Sequence, residues 1–109
     1  MNKSEILSKQ QAFLFNDLYI DPIGYQVKLG HKEIDLTLKE FNLLYLFASN
    51  RGKVVKRSEM LQAISASAML DEDRAINVMM CRLRKKIEAD PHHPKRLVAV
   101  RGLGYRLKE

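Results

Sequence analysis

The chain is predicted to fold as an α+β domain in which a small antiparallel sheet precedes three helices and a β-hairpin closes the chain. Three observations predict it. Apolar residues alternate with period two before residue 37 and again after residue 96, whereas between them they recur at helical spacing. The capping box Thr37-Leu38-Lys39-Glu40 marks the change from the first period to the second. Charge is segregated as well. Residues 1–73 carry nine Lys/Arg against ten Asp/Glu, and residues 74–109 carry ten against three, so nearly all of the net +6 lies in the last third.

At 109 residues and 46% hydrophobic content, the chain suffices for one domain around one modest core. No stretch approaches the roughly 18 consecutive apolar residues of a membrane span, and Met1 to Gln10 lacks the apolar centre of a secretory signal. The chain is therefore expected to be soluble and cytoplasmic, with no membrane partner. Cys81 is the sole cysteine and cannot staple the fold, which agrees with a reducing compartment.

Met1 to Gln11 is polar, with Ile6-Leu7 as its only apolar pair, and residues 1–12 are read as a linker or disordered start; the domain is expected to occupy residues 13–109. Phe13, Phe15, Leu18 and Ile20 lead into Asp21-Pro22, and Tyr25 to Leu29 then alternates in polarity. Gly30-His31 supplies a turn before Glu33 to Leu36 alternates again. The first helix begins near Leu38, and Leu38, Phe41, Leu44, Tyr45 and Ala48 form its apolar stripe, widened by Leu43, Leu46 and Phe47. Asn50-Arg51-Gly52 ends that helix, and Val54-Val55 is read as an extended link. Arg57 to Ile64 forms a second helix with Met60, Leu61 and Ile64 inward, and Ser65 to Ala68 forms a loop. Asp71-Glu72-Asp73 suits a helix start, where carboxylates meet free amides and the positive end of the macrodipole; an acidic contact for a basic partner is the competing reading. The third helix is expected from about Glu72 to Ala89, closed by Asp90-Pro91. Leu97 to Val100 and Gly104 to Leu107 are two strands around Arg101-Gly102-Leu103. A helix pair followed by a basic hairpin is the order of a winged helix-turn-helix.

Steps of about 100° per residue divide the third helix into two faces. Ile76, Met80, Leu83 and Ile87, with Met79 at the edge, are assigned to the core. Arg74, Val78, Cys81 and Lys85 lie opposite, flanked by Asn77 and Arg84 on one edge and by Arg82 on the other. That second face suits a DNA major groove. Arginine can donate a bidentate pair to guanine and asparagine to adenine, and Val78 can touch a thymine methyl. Lys85 and Lys86 are expected on phosphates, which sets orientation rather than sequence. Arg101 at the hairpin tip is expected in the adjacent minor groove, whose narrow A·T segments concentrate negative potential. A helix with one basic face is more often merely solvated, so the inference leans on the hairpin and on the segregated charge.

Other chemistry finds little footing. His31, His92, His93 and one cysteine show no zinc spacing, and neither a nucleophile with a base nor a phosphate-cradling glycine loop can be picked out. The expected protein is not an enzyme and has no metal, cofactor or catalytic residue. The alternative reading of the basic surface is a module binding an acidic protein or RNA; attachment to a membrane surface is disfavoured, because the apolar face of the basic helix is assigned to the core.

The segments Leu36 to Phe41 (LTLKEF), Arg74 to Lys86 (RAINVMMCRLRKK) and Val100 to Leu107 (VRGLGYRL) resemble the winged-helix effector domain of OmpR/PhoB-type bacterial response regulators. The resemblance covers about Phe13 to Leu107. It implies head-to-tail binding to direct-repeat promoter DNA and control of transcription, usually downstream of a phosphorylatable receiver domain. No receiver lies within this sequence, so it implies the C-terminal part of a longer regulator or a stand-alone version, monomeric when alone. Carried over by position, the groove helix of the family matches Arg74, Val78, Arg82, Arg84 and Lys85, and its wing arginine matches Arg101. Met79, Cys81 and Ala99 stand where relatives often carry polar or basic residues or a threonine, which implies fewer contacts and a different preferred sequence. Some relatives touch RNA polymerase through the loop corresponding to Ser65 to Asp71, but the aromatic-glycine pair common there is replaced by Ser65 to Ala68.

Overall fold

The computed structural model describes residues 11–64 and 71–108, so most of the expected linker and the whole of the loop expected at Ser65 to Ala68 lie outside the described residues. The apolar positions Phe13, Phe15, Leu18 and Ile20, read together as strand signals, fall into two strands, β1 (Phe13–Phe15) and β2 (Leu18–Asp21), separated by the two-residue turn Asn16-Asp17. Asn16 takes a positive φ of 57°, which asparagine tolerates better than most side chains. With β3 (Gln26–Leu29) and β4 (Lys32–Ile34) these strands make an antiparallel sheet in the order β1-β2-β3-β4. Tyr25 belongs to the turn rather than to β3, with φ 50°, and β4 stops at Ile34 rather than Leu36.

Alternation dictates which face of this sheet is buried. Phe13, Ile20, Val27 and Ile34 stand in one cross-strand row, and Phe15, Leu18 and Leu29 in the next. Phe15, Leu18, Ile20 and Val27 are buried, and the other three pack against the core from its margin. Leu14, one residue out of phase, is exposed.

The capping box forms as expected at α1 (Leu38–Ser49). Thr37 Oγ1 accepts from the Glu40 amide at 3.2 Å, and Glu40 Oε1 accepts from the Thr37 amide at 2.8 Å. Phe41, Leu43, Leu44, Phe47 and Ala48 are buried, whereas Leu38 is exposed. As the first residue of the helix it lies beyond the end of the stripe to which its spacing assigned it. α2 (Arg57–Ala63) is short and buries Met60, and Ile64 is buried just beyond its end. Both α2 and α3 (Glu72–Ile87) pack against α1 and against each other.

The expected link at Val54-Val55 contributes a strand instead. β5 (Val55–Lys56) pairs with β7 (Gly104–Leu107), which also pairs with β6 (Leu97–Val100), so the hairpin is part of a three-stranded sheet ordered β5-β7-β6. Gly104 is what permits this approach. It sits at φ 154°, and a β-carbon there would overlap the Val55 carbonyl oxygen.

Candidate nucleic-acid interface

α3 is built to hold a polarised position at the surface. Asp71 caps it by accepting from the Arg74 amide at 2.9 Å, and Asp73 pairs with Arg57 of α2 at 2.8 Å. Acidic residues thus occupy its first turn and Arg84, Lys85 and Lys86 its last, each sign where the macrodipole favours it. The cap and the bridge realise the structural reading of Asp71-Glu72-Asp73. Ala75, Ile76, Met79, Met80, Leu83 and Ile87 are buried, which fixes the rotation of the helix about its axis.

That rotation turns Arg74, Asn77, Val78, Cys81, Arg82 and Lys85 outward, and all six are exposed. They line one open groove running along the helix together with Asp71 and Asp73. Val78 is 38% exposed, an apolar group left facing solvent within a polar face, and the Cys81 thiol is exposed beside it. Arg74, Arg82 and Lys85 make no side-chain hydrogen bond or ion pair with another described residue. Their charge is therefore available to a partner. Asn77, Cys81 and Lys85 also line a second depression with Tyr105 of β7, so the outward face of α3 continues into the hairpin sheet. Arg101 is exposed in the turn from Arg101 to Leu103, where Gly102 takes a φ of 80°. It too has no internal partner among the described residues.

Two basic residues predicted for the interface are engaged inside the protein. Arg84 donates from Nε and Nη2 to the carbonyl oxygen of Leu97, at 3.1 and 2.8 Å, and its guanidinium lies 5.4 Å from the centre of the Tyr105 ring. Lys86, expected on phosphate, instead donates from Nζ to Glu40 Oε1 at 2.7 Å. Glu40 is buried with 2% exposure. Burial pushes its pKa up, but the bonds from Lys86 and from the Thr37 amide outweigh burial and hold the carboxyl below its ordinary value of 4.5. Helical geometry carried the signal for Lys86, which falls about 20° from the buried Met79, but not for Arg84, which falls about 20° from the outward Asn77 and about 40° from the buried Met80.

Glu88 was missed altogether in the sequence. It leaves helical geometry at φ −92° and ψ 142°, which ends α3 two residues before the expected Ala89. Its buried carboxylate accepts from the amides of Lys95, Arg96 and Leu97 at 2.8–3.1 Å. Arg96 in turn bonds Asp17 at 2.6 Å and lowers its pKa, tying the base of the hairpin to the β1–β2 turn. Among the described residues no group of three or more His, Cys, Asp or Glu could hold a metal ion, and no helix is long and apolar enough to cross a membrane.

Residues 31–107 match the model of a family described as the C-terminal part of transcriptional regulatory proteins. Among solved structures, the chain is similar to the DNA-binding domain of RstA from Klebsiella pneumoniae, crystallised in complex with the RstA box. The two are 31% identical over 90% of this chain and 97% of that one, with a TM-score of 0.78. It is similar to the C-terminal effector domain of BfmR from Acinetobacter baumannii, at 37% identity, 91% coverage of each chain and a TM-score of 0.76. It also resembles DrrB of Thermotoga maritima, an OmpR/PhoB homologue, at 33% identity and a TM-score of 0.84, covering 97% of this chain and 49% of DrrB. With three helices between an antiparallel sheet and a basic hairpin, and with these matches along most of its length, the chain belongs to the winged-helix DNA-binding effector domains of OmpR/PhoB-type response regulators.

Proposed function

We propose that this chain reads double-stranded DNA in a sequence-specific way, as the cytoplasmic output domain of a two-component response regulator that controls transcription. The observation that carries the reading is the continuous outward surface formed by α3 and the hairpin, on which Arg74, Arg82, Lys85 and Arg101 have no internal partner among the described residues. Unpaired guanidinium and ammonium groups on the outward face of a helix are suited to guanine edges and phosphates. RstA and the AdeR DNA-binding domain, the latter 29% identical, were each crystallised with DNA, which supports the same partner here.

In this reading α3 enters the major groove. Arg74, Asn77 and Arg82 face base edges, Val78 and Cys81 offer apolar contact, and Lys85 holds phosphate. Arg101 enters the adjacent minor groove. Arg84 stands at the edge of the same face but is held by the hairpin. Copies bind direct-repeat sites head to tail, a single copy is monomeric off DNA, and a receiver domain in the longer regulator supplies the input. Contact with RNA polymerase falls to the segment from Ser65 to Asp71, expected from the sequence as a loop. The chain acts by binding and carries out no catalysis.

Selection from a random duplex pool at about 150 mM salt, where much of the non-specific electrostatic attraction is screened, tests the reading. Enrichment of a short motif, repeated at about one helical turn, is the expected result. A folded protein that enriches no motif yet binds RNA or an acidic protein would replace it with the interaction-module reading.

A further inference from the structure

The joint between α3 and the hairpin is held by charged groups that base reading leaves unexplained. Leu97, the first residue of β6, is fully buried, and both of its backbone polar groups are taken by the end of α3. Its amide donates to Glu88 Oε2 at 2.8 Å, and its carbonyl receives two bonds from Arg84. The same guanidinium lies over Tyr105, which pairs with Ala99 of β6 and with Val55 of β5. One side chain of the helix therefore engages both strands of the hairpin.

We propose that Arg84 is a positioning residue: it sets the angle between α3 and the hairpin and so the distance from the major-groove contacts to Arg101. This rests on the DNA-reading function above. The lever is long enough to matter. Arg101 lies four residues beyond Leu97, about 13 Å along an extended strand, so a turn of roughly 10° at the joint moves the tip by about 2 Å, several times the tolerance of a hydrogen bond. A guanidinium suits the post because its planar fork gives two N–H groups to one oxygen while its cationic centre lies over an aromatic ring. A lysine ammonium would keep the charge but offer no flat fork.

The test compares the wild-type protein with Arg84→Lys and Arg84→Ala on the motif selected by the wild type and on duplexes altered either under α3 or under the hairpin. For both variants the preferences under α3 should persist, while the A·T preference under the hairpin falls by roughly tenfold, the discrimination of about one base contact. In the free variants, amides from Val98 to Arg106 should exchange roughly fivefold to tenfold faster relative to those of α1, as expected for about one lost hydrogen bond. A wild-type pattern in Arg84→Lys would show that charge alone suffices and overturn the proposal, as would loss of a preference under α3, which would make Arg84 a base reader. Unchanged hairpin exchange would overturn it equally. If the wild type selects no motif, the DNA reading itself fails and takes the positioning role with it, an outcome separate from any behaviour of the variants.

Discussion

Arg74, Arg82 and Lys85, on the outward face of α3, differ from Arg84 and Lys86, at the two margins of its buried face, and from Glu88, at its C-cap, in how their charge is used. The first three are exposed and make no side-chain bond to another described residue, whereas the second three are bound to Leu97, Glu40 and the amides of Lys95 to Leu97. Within a single helix, then, basic residues adjacent in sequence divide between holding the fold and facing a partner. The excess of positive charge in the last third of the chain overstates what reaches DNA, because part of it is already neutralised or fixed within the protein.

Arg82→Ala is the strongest way to break this division. It is expected to weaken binding to the selected motif by about 1–3 kcal/mol, to weaken random duplex far less, and to leave the unfolding midpoint in place. Competition binding with both duplexes checks this. Equal losses on the two would move Arg82 among the phosphate holders. Lys86→Ala should do the reverse and destabilise the protein by about 1–2 kcal/mol in denaturant titration, because Glu40 would stay buried without its cation. Lys86 is 34% exposed, so water replaces part of what is lost and keeps the effect below that of breaking a fully buried pair. Its motif preference should match the wild type. A variant that kept its stability and lost that preference would place Lys86 on DNA after all.

What the sequence revealed and what it hid follow the same line. The capping box at Thr37, the glycine-containing turn at Arg101 to Leu103 and the two faces of α3 depend on residues a few positions apart, and each is found where expected. The ties from α3 and the hairpin to the rest of the domain depend on distant partners. Lys86 and Glu40 are 46 residues apart, and Arg96 and Asp17 are 79, so no local pattern announces either pair. β5 escaped for a similar reason, since a two-residue strand has no periodicity and exists only because β7 lies beside it. The Asn16-Asp17 turn was legible but overlooked; an asparagine between alternating apolar residues is a hairpin signal in its own right.

Lys85→Ala sharpens the outward group by separating its two kinds of contact. If Lys85 holds phosphate, its loss should weaken motif and random duplexes alike and lower the slope of log affinity against log salt by about one. A salt titration on both duplexes reads the change directly. A loss confined to the motif would assign Lys85 to base reading.

The smallest expected effect concerns acid. Glu40 has a folded pKa below its ordinary 4.5, so its bond with Lys86 stabilises the protein fully above that value and is lost as pH falls through the lower folded value. Asp17 and Asp90 are lowered too, by Arg96 and by His93, and contribute to the same acid limb, so wild-type stability against pH does not isolate Glu40. The difference between wild type and Lys86→Ala does. It should hold constant near neutral pH and narrow as pH falls towards the lowered folded value, where Glu40 becomes protonated and Lys86 loses its anion. Denaturant titrations of both proteins across that range make the comparison. A difference that stayed constant into acid would mean that Lys86 stabilises α1 against α3 through the packing of its methylene stem, and that its charge contributes little.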